Sequence, residues 1–233
     1  DVSLNRSGQL PHADGTGTGN HRTPWKRVTR DIAPLLTDSD LNFGNIETVV
    51  TDRKDLPRTA KKYTFQSHIA GVRHLVGIGF NLFSLANNHS FDFGEPGARD
   101  TLRTMRHLKS ESPHIHFAGL GVGVEAAARP VVFELKGKKI AFAAIGIITN
   151  MNRRHRTGPD KAGTLRFRDP KDYQIVLDAM TAIKADYKIL SIHYGIERDV
   201  RVDQRQRNTF RKAFKAAGVD LILGHHAHVV RAV

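Results

Sequence analysis

Cysteine is absent from this chain of 233 residues. That excludes a disulfide framework, a thiolate metal site and a Cys nucleophile, so any metal must be taken by His, Asp, Glu or Asn. Acidic residues are scarce beside basic ones. The 23 Asp and Glu against 36 Lys and Arg leave a formal charge of +13 and a pI near 10.3, which points to an anionic partner or substrate and says nothing of fold. Long apolar runs are missing too. The longest, Ile140 to Ile148, has nine residues, against the roughly 20 that cross a bilayer, so no membrane span is expected in this chain. No initiator Met, basic n-region or apolar h-region stands at the start, and the expectation is that any targeting segment was cut away or never included.

What is present suits a folded domain, with 39% hydrophobic and 25% charged residues in a chain long enough to bury a real core. Residues 7–24, rich in Gly, Thr and Pro, read as a long loop. Trp25 to Leu36 has apolar residues at three- and four-residue spacing and predicts a helix. Strands are predicted at Leu41–Ile46, Asn81–Ala86, Ile115–Ala118, Val131–Leu135, Lys139–Ile148, Tyr187–Ile192 and Asp220–Leu223, most apolar on both faces. Helical patterns fall between them at Ile69–Ile78, Gly94–Lys109, Pro170–Ala185 and Gln204–Ala217. This alternation predicts an α/β protein. The Lys136-Gly137-Lys138 turn between two strands makes part of the sheet antiparallel, so the sheet is expected to be mixed.

Ligand-type residues collect at the carboxyl ends of the strands, where α/β sheets bind their ligands. Leu41–Ile46 runs into Glu47, Asn81–Ala86 into Asn87-Asn88-His89, Lys188–Ile192 into His193, and Leu221–Leu223 into Gly224-His225-His226-Ala227-His228. Asp1 stands where a preceding strand would end. Singly, each is an ordinary polar residue: a lone His at a strand end is more often satisfied than ligating, and Glu47 could be a helix N-terminal charge. Together they are a ligand set. On an extended segment, His226 and His228 would point to one side and His225 to the other. Carboxylate oxygens with imidazoles suit Mn, Fe, Zn or Co, and a bridging carboxylate suits two ions about 3.5–4 Å apart, the arrangement of phosphoester chemistry.

The order Asp1, Glu47, Asn88-His89, His193 and His226-x-His228 resembles the ligand order of the calcineurin-like metallophosphoesterases. The segments FGNIE, GFNLFSLANNHSFDFGEPGARDTL, SIHYGIE and AGVDLILGHHAHVV resemble, more narrowly, the bacterial CapA family of poly-γ-glutamate capsule biosynthesis proteins, over nearly the whole chain. The resemblance implies a four-layer α/β/β/α sandwich of two mixed sheets, in a single domain over residues 1–233 that lacks the family's first strand and C-terminal hairpin. It implies two divalent metal ions (Mn, Fe, Zn or Co) held by Asp1, Glu47, Asn88, His193, His226 and His228. His89 matches the transition-state histidine of the superfamily, with Asp92 placed to hold its tautomer. Asn45, Arg6, Glu197 and Arg198 lie beside these positions and are candidate substrate contacts. The resemblance also implies capsule-synthesis partners at the membrane and a place in the bacterial envelope or outside the cell.

One departure stands out. The wider superfamily opens with Asp-x-His, and here the third residue is Ser3, which removes an imidazole from the first metal site. Two functions follow from different classes: a metal-dependent hydrolase or transferase acting on a phosphoester or anionic polymer, and a non-catalytic envelope protein that binds or helps export such a polymer. Two basic stretches bear on the polymer. Arg153–Lys171 and Arg198–Lys215 each hold seven Lys or Arg against two Asp, either as solvated faces or as an electrostatic guide for a polyanion. They hold few aromatic residues, Phe167 in one and Phe210 and Phe214 in the other, which is read as counting against nucleic acid.

Overall fold

The computed structural model describes residues 15–18, 21–147 and 155–231. In chain order its elements are β1 Gly15–Thr18, β2 His21–Pro24, α1 Trp25–Val28, β3 Phe43–Asn45, β4 Val49–Val50, β5 Gln66–Ser67, α2 Ile69–Gly77, β6 Leu82–Ser84, α3 Gly94–Glu111, β7 His116–Ala118, β8 Gly121–Val122, α4 Val124–Ala128, β9 Val131–Leu135, β10 Lys138–Gly146, β11 Ala162–Gly163, α5 Pro170–Ala182, β12 Tyr187–His193, α6 Gln204–Ala217 and β13 Leu221–His225. The chain is mixed α/β, as the alternation predicted. It divides into two compact units, one formed by residues 84–88 and 118 onward, the other by the remainder.

The first unit is built on a four-stranded sheet in the order β13-β12-β10-β9. The strands β10, β12 and β13 run parallel, while β9 returns antiparallel to β10. That reversal is made by Lys136 and Gly137 at φ 49° and 72°, the two positive values a two-residue hairpin turn of matching twist requires. From Ile140 onward every residue of β10 is buried, as are the last five of β12, because both faces of a parallel sheet are covered. α5 contributes Tyr173, Val176, Leu177 and Met180 to this core, the one-sided spacing of an amphipathic helix. Asp169 caps α5 by accepting from the amides of Lys171 and Asp172, and Pro170 sits in its first turn, where its missing N–H costs nothing. Asp203 caps α6 by accepting from Gln206 N at 2.6 Å.

The second unit holds a three-stranded sheet in the order β3-β6-β7 and the parallel pair β4-β5. α3 buries Ala98, Leu102, Met105 and Leu108, and α2 buries Val72, Leu75 and Val76. Val49, Leu56 and Phe93 form a smaller apolar cluster.

Two expectations are corrected here. Residues 15–18 and 21–24, read within a loop, pair as an antiparallel ladder from Gly15↔Pro24 to Thr18↔His21. Apart from these strands, the rest of 7–24 lies outside the described residues. Trp25–Leu36 is not one helix. It is a single turn, Trp25–Val28, followed by a 3-10 turn at Ala33–Leu36. Pro34 cannot donate to the ladder, and it disfavours helical geometry in the residue before it.

Two outcomes follow from this packing. Gly146 ends β10, and a Cβ there would come within 2.5 Å of the Ala86 carbonyl oxygen and 2.8 Å of Asn87 N. Gly146→Ala is therefore expected to lower the unfolding free energy by about 1–3 kcal/mol in urea titration, whereas Gly137→Ala, whose Cβ meets nothing within 4 Å, loses only about 1 kcal/mol for its positive φ. On β7, burial, with Lys109 and His114 beside it, lowers the His116 imidazole from 6.5 to about 4. The unfolded chain binds that proton first, so the contribution of His116 is complete above pH 6.5 and is lost as pH falls toward 4. A plot of urea midpoint against pH should be flatter over this window in His116→Gln.

Candidate functional site

In the first unit the parallel register delivers histidines to one edge. β12 ends at His193, paired in register with Gly146 on one side and His225 on the other. His193 is fully buried. Its Nε2 lies 2.6 Å from Asn88 Oδ1 and 3.0 Å from His226 Nδ1, and its Nδ1 lies 2.5 Å from His225 Nδ1. The rings of His225 and His226 both stand 4.7 Å from that of His193, centroid to centroid. An imidazole nitrogen offers one lone pair or one proton. Here an amide oxygen and a second imidazole nitrogen converge on the same Nε2. That crowding fits a cation better than a chain of hydrogen bonds: two donors about 2.1 Å from one ion and about 90° apart are about 3.0 Å from each other. The residues present therefore fit a divalent metal.

His225 differs from its sequence reading. It does not turn away, because the segment is not extended: His226 and His228 take φ of 94° and 55°, which breaks the alternation on which that expectation rested. His225 instead stays on the strand, with Nε2 2.7 Å from Ser191 Oγ. Part of its surface is accessible, yet both ring nitrogens are enclosed, and desolvation pushes the imidazole down to about 3. His225 braces His193. His228 is exposed, its ring 6.2 Å from that of His226. Glu197 and Arg198 are exposed as well, and Arg198 enters only through its backbone, donating to the Ala227 carbonyl at 2.8 Å.

The second unit carries the remaining described candidates. Asn45 closes β3, and Glu47 follows two residues later; both are buried. His89 and Asp92 are buried side by side, with His89 Nδ1 2.6 Å from Asp92 Oδ2. That contact places the proton on Nδ1. Asp92 also accepts from Lys61 Nζ and from Phe65 N, each at 2.7 Å, and Phe65 stacks on the His89 ring at 4.1 Å. Three donors on one carboxylate satisfy a charge that no water reaches. Residues 51–65 form neither helix nor strand. They are gathered by these bonds, by Thr59, which donates from N and Oγ1 to the Asp92 carbonyl, and by Leu56 in its apolar cluster.

Sequence reasoning passed over Lys61 and misplaced His225. Lys61 sits in a run of cations with nothing to set it apart, 31 positions from Asp92. His225 was seen and turned the wrong way. Asp1 and Arg6 lie outside the described residues, as does Ser3.

Removing the Asp92 carboxylate leaves a buried imidazole and an ammonium without their acceptor. Asp92→Ala should lower stability by about 3 kcal/mol, at the lower end for a broken buried pair because a quarter of the Lys61 side chain is exposed. Asp92→Asn should lose less, and urea midpoints of the two variants decide it.

The profile of the family described as bacterial capsule synthesis protein PGA_cap matches residues 3–233. A PGA biosynthesis protein CapA of Bacillus subtilis is 28% identical over 204 residues, covering 87% of this chain and 51% of its own. The capsule biosynthesis protein CapA of Bacillus anthracis is 26% identical, covering 88% and 49%. A probable polyglutamine synthesis accessory protein of Mycobacterium tuberculosis is 24% identical, covering 91% and 55%. The chain spans about half the length of these relatives.

Proposed function

The chain belongs to the bacterial capsule synthesis protein family PGA_cap, and on that premise we propose that it acts in making an anionic capsule polymer of the poly-γ-glutamate type, as a metal-dependent hydrolase or transferase of phosphoesterase-like chemistry. The observation that carries this reading is the convergence of Asn88 Oδ1 and His226 Nδ1 on His193 Nε2. The names of the relatives, which are capsule and poly-γ-glutamate biosynthesis proteins, support the polymer and a place at the cell envelope. Among the described residues no helix is long and apolar enough to cross a membrane.

Asn88, His193 and His226 would hold metal in the first unit, with His228 as a further imidazole. The sequence order adds Asp1 and Glu47 as carboxylates. Divalent cations held there supply Lewis acidity to a water and neutralise charge on a phosphoryl oxygen. His225 would keep His193 oriented. His89, with its Nδ1 proton fixed on Asp92, is proposed to exchange a proton with a leaving oxygen. Asn45, Glu197 and the basic rim at Arg6 and Arg198 are proposed to meet the substrate.

A second reading, polymer binding without catalysis, is favoured by Ser3 standing where the wider superfamily has histidine. Metal analysis by mass spectrometry, on protein purified without chelator and then loaded with Mn, separates the two. About two ions per chain are expected, with Mn raising and EDTA lowering the melting temperature, as for a ligand that binds only the folded state. His193→Ala should lose metal, and Asn88→Ala, His89→Ala and His226→Ala should lose hydrolysis of activated phosphodiesters. Hydrolysis unchanged in all three overturns the catalytic reading.

A further inference from the structure

α6 carries Arg205, Arg207, Arg211, Lys212 and Lys215 and no acidic residue over Gln204–Ala217. Elsewhere in the same unit some arginines have carboxylates: Arg156 and Arg166 share Asp172, and Arg201 pairs with Asp199. Among the described residues no ion pair is made by Arg168, Arg205, Arg211 or Lys215. The nearby Asp203 is engaged in capping α6 and in accepting from Tyr194 Oη at 3.2 Å.

Two shallow depressions follow this helix. One of about 280 Å³ is bordered by Arg168, Tyr194, Arg205, Asn208 and Lys212. The next, of about 500 Å³, is bordered by Asn208, Arg211, Lys212 and Lys215. They share Asn208 and Lys212, so they form one track about 15 Å long from Arg205 to Lys215. Arg168 lies over the Tyr194 ring, 5.5 Å from its centroid, which holds the guanidinium in place at the head of the track.

The pattern bears on the ligand. Arg205, Arg211, Lys212 and Lys215 border the track along its length, and a row of cations that long suits a chain carrying many charges better than a single small anion. Phe167, Tyr173 and Tyr194, which floor the first depression, are buried. They offer no open ring face of the kind on which single-stranded nucleic acid stacks.

We propose that the α6 face together with Arg168 is a docking track for a linear polycarboxylate. The inference rests on the reading that this protein handles an anionic capsule polymer, and it places that polymer on a surface distinct from the histidine cluster.

Fluorescence anisotropy with labelled poly-γ-glutamate, on the full chain at several NaCl concentrations, tests this. The triple variant R205Q/R211Q/K215Q should bind at least tenfold more weakly and with a shallower salt dependence, while circular dichroism shows α6 retained. The charge-keeping R205K/R211K/K215R should bind as the parent does, and His193→Ala should also keep binding. Parent-like binding by the glutamine triple overturns the proposal, as does failure of the parent to bind. Double-stranded DNA bound as tightly as the polymer, and weakened equally in the triple, overturns the polycarboxylate assignment in favour of a general polyanion patch. Metal content and phosphodiester hydrolysis of the glutamine triple should match the parent, so a failure of the metal-dependent reading registers there and not in the anisotropy.

Discussion

Parallel pairing of β10, β12 and β13 is the constraint on which the candidate site rests. Register places Gly146, His193 and His225 side by side, and backbone bonds carry the ladder one step further, from Ile147 N to the His193 carbonyl and from Tyr194 N to the His225 carbonyl. A slip of one residue would turn His193 to the opposite face of the sheet. Burial on both faces prevents that slip, since every alternative register would move large apolar residues such as Phe142, Ile145 and Leu190 out of their places. The histidine cluster is thus positioned by hydrophobic packing that itself has no chemistry.

The two units hold their polar residues by different means. In the first, imidazoles crowd one another at the end of a sheet, an arrangement that a cation would relieve. In the second, the acceptor is already matched: Asp92 receives Lys61, Phe65 N and His89 in one place. One group is poised for a ligand; the other is complete, and its completeness fixes the His89 tautomer.

The fold was largely legible in the sequence because its strands are long apolar runs bounded by helices of clear periodicity. All seven predicted strands and the four later helices are present, most with ends shifted by a residue or two. What escaped were two-residue pairings such as Val49–Val50 with Gln66–Ser67, too short to carry a period, and the break in residues 25–36, where the spacing looked helical and Pro34 prevailed. The histidine-bearing strand ends could be read because runs of apolar residues pointed at them. The orientation of His225 could not, since alternation assumes extended backbone and His226 leaves it. Lys61 had no local signal at all, because its role is defined by a partner distant in the chain.

That last case has a wider meaning for residues 51–65. With no helix or strand of its own, this stretch takes its shape from Asp92 and from the apolar cluster of Val49, Leu56 and Phe93. The instructions for its conformation are written outside it. Cut out as a peptide it would keep none of its shape, because the groups that hold it belong to other parts of the chain.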